Sequence, residues 1–163
     1  MQKNLSQTER DPQKDFDFFM GRWKGHNRKL KQRLKGCTDW EEFESTVVAQ
    51  PLWGGRANID VLEGDAPSGH IQGLTLRLYN PKSKQWSLYW ANSANGTLEK
   101  PMIGIFENGR GEFFDQEMFE DKAIFVRFVW SDITENSCRW EQAFSEDGGK
   151  TWETNWTVQF TRI

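Results

Sequence analysis

The chain of 163 residues carries 21 basic and 24 acidic side chains, a formal charge of −3, with 36% of its residues hydrophobic. That is enough for one domain with a buried core. A pI near 5.5 argues against nucleic acid as a partner. No stretch approaches the ~18 apolar residues of a membrane span, and Cys37 and Cys138 have neither zinc-site nor C-x-x-C spacing. Two reduced, structural thiols are the expectation.

Residues 1–15 are polar and read as a flexible N-terminal segment without the apolar core of a signal peptide, which makes the cytoplasm the expected location. Residues 16–163 read as a single domain. Phe16-Asp17-Phe18-Phe19-Met20 predicts a short helix able to cover the end of a sheet. From there on, alternation and turn signals recur about every ten residues, as in an antiparallel all-β domain. Strands are predicted at 22–34, 40–50, 55–63, 70–80, 85–92, 101–107, 111–119, 122–131, 136–145 and 152–162. Asn80-Pro81-Lys82-Ser83-Lys84, Asn108-Gly109 and Ser145–Lys150 supply hairpin turns. Ten strands joined by short turns form a meander, and closing it into a barrel removes its edges. The absence of a fixed internal period argues against a propeller.

Gly21-Arg22-Trp23 opens the first strand directly after the predicted helix, and Arg162 ends the last. This resembles the G-x-W opening of calycin barrels such as lipocalins. The resemblance implies that Trp23 seals one barrel end and that Arg162 packs across it, a cation–π contact worth about 0.5–2 kcal/mol. Ser145-x-Asp147-x-Gly149-x-Thr151-Trp152 has the form of an Asp-box, here read as one rigid hairpin in which Asp147 binds turn amides and Trp152 packs beneath. The chain from Phe16 to Arg162 also resembles a family of uncharacterised bacterial proteins with a lipocalin-like barrel. The segments that carry this likeness are Phe16–Trp23, Asn27-Arg28, Gly54-Gly55 with Asn58 and Asp60, Thr75–Tyr79, Trp86–Ala91, Arg139–Ser145 and Thr151–Trp156. It implies the barrel and no activity.

Strand alternation leaves two choices for the lumen. An inward-facing apolar set (Leu74, Leu76, Leu78; Trp86, Leu88, Trp90; Ala57, Ile59, Val61) makes a filled core. An inward-facing polar set makes a ligand site from Arg28, Asn58, Asp60, Arg77, Tyr89, Arg127, Glu141 and Asn155. Arginines there would take a carboxylate or phosphate bidentately. Gly54-Gly55 and Asn58-x-Asp60 are poor strand formers and suggest a bulge or a site. The expected function is binding of a small amphipathic or anionic ligand in the lumen. The alternatives are an enzyme using Asp60 or Glu141 as general acid or base, and a protein-interaction module with an exposed aromatic patch, a homodimer included. No metal site is expected. Haem would need His26 or His70 as axial ligand.

Overall fold

The computed structural model describes residues 10–163 as one closed antiparallel barrel. Its strands are β1 (Gly21–Leu30), β2 (Trp40–Leu52), β3 (Ala57–Ala66), β4 (Gly69–Asn80), β5 (Gln85–Asn92), β6 (Met102–Glu107), β7 (Arg110–Phe119), β8 (Lys122–Ser131), β9 (Ser137–Ser145) and β10 (Glu153–Arg162). Each strand pairs with its neighbours in sequence, and β1 pairs with both β2 and β10 to close the ring. The predicted meander is therefore the observed one. Among the described residues no helix is long and apolar enough to cross a membrane.

Half of the strand ends differ from the sequence expectation, by one to four residues, and two differences matter for the interior. β1 ends at Leu30 instead of residue 34, because residues 31–35 bend away with Leu34 at a φ of 58°. Gly54 and Gly55 do not lie within a bulged strand. They form a 3₁₀ turn ahead of β3, at φ of 64° and 96°, and β3 itself keeps a regular register with β2 and β4.

The N-terminal helix is two single 3₁₀ turns, Pro12–Lys14 and Asp17–Phe19. Of the segment expected to be flexible, residues 1–9 lie outside the described residues. Within residues 10–15, Arg10 and Pro12 make hydrogen bonds to the barrel. Arg10 donates to the Phe106 carbonyl at 2.6 Å, and Trp86 Nε1 donates to the Pro12 carbonyl at 3.0 Å.

These turns seal one end of the barrel with rings. Phe16, Phe19, Trp23, Trp86 and Phe113 are fully buried. Phe16 meets Trp86 edge-on at 5.0 Å and Phe106 at 4.9 Å, and Phe19 stacks on Trp23 at 5.4 Å. Such pairs add about 0.5–1.5 kcal/mol each beyond area burial. Trp23 Nε1 donates to the Phe19 carbonyl at 2.8 Å. The β1–β10 register sets Trp23 directly opposite Arg162, whose guanidinium carbon sits 4.1 Å from the indole centroid. Arg162 also donates to the Met20 and Phe18 carbonyls, both at 2.7 Å, which locks the 3₁₀ turn onto the strand ends. Gly21 is required here: its φ is 111°, and a Cβ would lie 2.9 Å from Arg162 Nη1.

The hairpin at residues 145–152 is equally determined. Asp147 Oδ1 accepts from the Lys150 and Thr151 amides and from Ser145 Oγ, and Oδ2 accepts from Thr151 Oγ1. These bonds hold its carboxyl down at about 2. Trp152 Nε1 donates back to the Gly149 carbonyl at 3.2 Å. Both cysteines are free thiols, and burial pushes the Cys138 thiol up to about 12.

Candidate functional site

The lumen holds a cavity of about 470 Å³ between the sealed end and an open mouth. Neither predicted choice of faces describes it. On β3 and β4 the polar-bearing set turns inward, bringing Asn58, Asp60, Leu62, Thr75 and Arg77 inside. On β5 the apolar set does so, with Trp86, Leu88 and Trp90. Register is the reason: Arg77 stands directly opposite Leu88 and therefore shares its face, while Leu76 and Tyr89 share the other.

Of the eight predicted site residues, Asp60 and Arg77 line the cavity. Arg77 Nη2 pairs with Asp60 Oδ2 at 2.5 Å and Nη1 donates to Asn58 Oδ1 at 2.9 Å, all three side chains being buried. The guanidinium lies 5.0 Å from the Phe16 centroid, 5.4 Å from that of Phe19 and 5.6 Å from that of Trp130. Burial pushes the Asp60 carboxyl up, opposed by Arg77 and by hydrogen bonds from Thr75. This network is a charge-neutral floor. Its arginine is already engaged by a carboxylate.

Asn155 is buried at a β10 bulge, where its Oδ1 accepts from Gln142 Nε2 at 2.8 Å; Gln142, not Asn155, reaches the cavity. The remaining four predicted residues lie outside the lumen, because alternation places them on the outer face. Arg28 is exposed and donates to Glu42 at 3.0 Å. Tyr89 shares a row with Leu76. Arg127 covers the Trp152 ring at 4.5 Å. Glu141 accepts from Arg139 at 3.3 Å, so it is not a buried acid or base of the lumen.

The histidines divide in the same way. His26 is on the outer face between Glu44 (2.8 Å) and Glu42 (3.2 Å). His70 is at the mouth rim with both ring nitrogens engaged, by Asp65 at 2.6 Å and Glu63 at 3.0 Å. These acidic partners raise both imidazoles. Among the described residues no group of three or more His, Cys, Asp or Glu is placed to hold a metal ion.

Several lining residues escaped the sequence reading. Lys29 and Arg33 stand at the mouth together with Glu117, Trp140 and Trp156. Lys29 Nζ lies 4.9 Å from the Trp156 centroid, and the Arg33 guanidinium lies 5.2 Å from that of Phe144. Burial lowers both cations, and the Arg33 charge lowers Lys29 further. Burial likewise raises Glu117. Trp90, which pairs with Thr75 on β4, reaches diagonally over Gly73 into the cavity; a Cβ on Gly73 would lie 2.0 Å from the indole. Two signals for these residues were present in the sequence. Lys29 has the parity of Trp23, Gly25 and Asn27, and residues 22–35 are the chain's one strongly basic run.

The fold and cavity together define a closed ten-stranded β-barrel with one sealed end. No family model and no curated protein matches the chain. Solved structures do. The S-type phycobiliprotein lyase of Guillardia theta superposes with a TM-score of 0.60 at 11% identity, over 95% of this chain and 94% of its own. A redesigned β-barrel bound to DFHBI gives 0.50 at 13% identity, over 89% and 99%. These likenesses establish a shared barrel fold.

Proposed function

We propose that the chain binds a small amphipathic or anionic molecule in its lumen, admitted through the mouth. The carrying observation is the cavity of about 470 Å³, within the ~300–1,000 Å³ range of small-molecule sites. Its wall is apolar over the greater part of its area, with charged and polar groups gathered at the mouth and on the floor. The redesigned barrel of the same fold that is bound to DFHBI lends support. The sequence likeness to calycins, with the Trp23–Arg162 closure, supports the same reading. Native mass spectrometry of freshly purified protein, followed by tryptophan-fluorescence titration against amphipathic acids, is the test. Quenching is expected because Trp90, Trp140 and Trp156 line the cavity. No co-purified mass and no titratable quenching across the panel would overturn the reading.

A second reading concerns the outer wall, where the predicted apolar set of β3 and β4 lies. Val48, Val61, Leu74 and Ala91 form one row across β2 to β5, and Ile59, Leu76 and Tyr89 form the next. Leu52, Ala57, Leu78 and Ile103 belong to a third. Four strands about 4.8 Å apart and three rows about 6.7 Å apart give roughly 390 Å² of face, twelve positions of which Gln50 and Ser87 are polar and Ala57 is buried. The remaining nine positions cover roughly 290 Å², the core of about 500 Å² per partner at an interface non-polar fraction of about 57%, the size of a small interface. The occupant we infer is a second copy with strands antiparallel. Glu63 and Asp65 flank the face at the mouth end, and Arg56, Lys82 and Lys84 flank it at the sealed end. That packing sets acid against base. Sedimentation velocity should give a dimer, and Leu76→Glu a folded monomer; a monomeric wild-type protein at its highest soluble concentration would overturn it.

A further inference from the structure

We infer that the lumen ligand is an aromatic carboxylate, its carboxylate held at the mouth by Lys29 and Arg33 and its ring system set among Trp90, Trp140 and Trp156. This rests on the lumen-binding reading and deepens it.

The wall of the cavity has its own charge balance. Lys29, Arg33, Arg77 and Lys100 stand against Asp60, Glu99 and Glu117, four basic groups to three acidic ones. The chain as a whole runs the other way, 21 basic to 24 acidic. The floor contributes nothing to this excess, because Arg77 and Asp60 cancel in a closed pair. The excess positive charge is therefore at the mouth.

Within the basic run Lys29 and Arg33 are the cations that line the cavity; Arg22, also without an ion pair among the described residues, is exposed and lies outside it. Lys24, Arg28, Lys31 and Lys35 are exposed, and each has an acidic partner within 4.0 Å, namely Glu44, Glu42, Asp39 and Glu120. Lys29 and Arg33 turn to the cavity and, among the described residues, have no ion pair and no hydrogen bond. Half-buried cations without partners are costly, and an anion between them removes the cost. Glu153 and Glu117 act on Arg33 and Glu41 acts on Lys29 through charge alone, and none of the three comes within ion-pair distance. The bend after Leu30 brings Arg33 over the mouth, and its planar fork suits a carboxylate.

The surroundings of the anion position are rings. Trp140 meets Trp156 edge-on at 5.4 Å, Phe128 meets Trp140 at 5.0 Å, and Trp90 meets Trp156 at 6.3 Å. Leu62, Leu88 and Met102 line the wall beside these rings, and Phe19, Trp130 and Phe160 line the deep end. Rings prefer rings in offset or edge-on contact. A ligand matching this order carries its carboxylate on or next to an aromatic system; a long alkyl chain would place its most flexible part against the ring cage.

Isothermal titration calorimetry with 2-naphthoate, its neutral amide 2-naphthamide, and decanoate tests this. At pH 7 the naphthoate should bind about tenfold or more tightly than either of the others. Arg33→Gln and Lys29→Gln should each remove most of the preference for acid over amide while leaving amide affinity unchanged. Lys24→Gln, on the outer face of the same basic run, should leave it intact. Equal binding of acid and amide, a preference that survives Arg33→Gln, or decanoate binding as well as naphthoate would overturn the inference while amide or decanoate binding still upholds the lumen reading. Failure of all three probes, with no quenching across the wider panel, overturns both.

Discussion

The two ends of the barrel are built from the same residue types and treat charge in opposite ways. At the sealed end, Arg162 is spent on an indole face and three carbonyls, those of Glu135, Met20 and Phe18, and Arg77 on Asp60 and Asn58. At the mouth, Lys29 and Arg33 lie over Trp156 and Phe144 with no carboxylate in ion-pair contact among the described residues. The cations of the sealed end are held by a carboxylate or by carbonyls, although Arg77 Nε has no partner, and those of the mouth are held by neither. The sealed end holds the fold, and the mouth is where the proposed ligand would enter.

The contrast is broken most directly by removing the floor carboxylate. Asp60→Ala leaves Arg77 buried without its counter-charge and should cost about 3–5 kcal/mol in urea unfolding. The next effect is at the lock: Arg162→Met forfeits the cation–π contact and the bonds to Met20 and Phe18, about 2 kcal/mol, read as a lower thermal midpoint. At the mouth, by comparison, Arg33→Gln should move stability by no more than about 0.5 kcal/mol. A destabilisation comparable with that of Asp60→Ala would erase the distinction between the ends.

A pH measurement sharpens the comparison away from both ends. Asp147 titrates at about 2 in the fold, against an ordinary value of about 3.9. A depressed carboxyl stabilises the protein above its unfolded pKa, and that stability is lost as pH falls toward the folded value. The stability gap between wild type and Asp147→Asn should therefore be constant above about pH 4.5 and shrink steadily down to about pH 2. A gap independent of pH over that window would show that the Asp147 charge plays no part in the hairpin.

Much of the barrel was legible because its causes are local. Alternation, the Asn108-Gly109 and Ser145–Lys150 turns, and the Trp23 and Arg162 positions each act within a strand or a hairpin, and the ten strands appear where these signals place them. The site was only partly legible. Asp60 and Arg77 were identified, while Arg28, Tyr89, Arg127 and Glu141 share their strands' polar character yet face outward. Alternation tells which residues share a face but not which face is inside; that is decided by the register with the next strand, as when Leu88 stands opposite Arg77.

The sequence by itself determined the all-β meander, the ring-sealed end and the rigid Asp147 hairpin, because each follows from side chains near one another along the chain or fixed at its two ends. Only the tertiary structure decided that polar β3 and β4 faces join an apolar β5 face in one lumen. It also decided that an arginine deep in that lumen is neutralised and that a lysine and an arginine at its mouth are not. These outcomes depend on closure of the ring, which brings residues such as Lys29, Asp60 and Trp156 around one cavity although no local rule connects them.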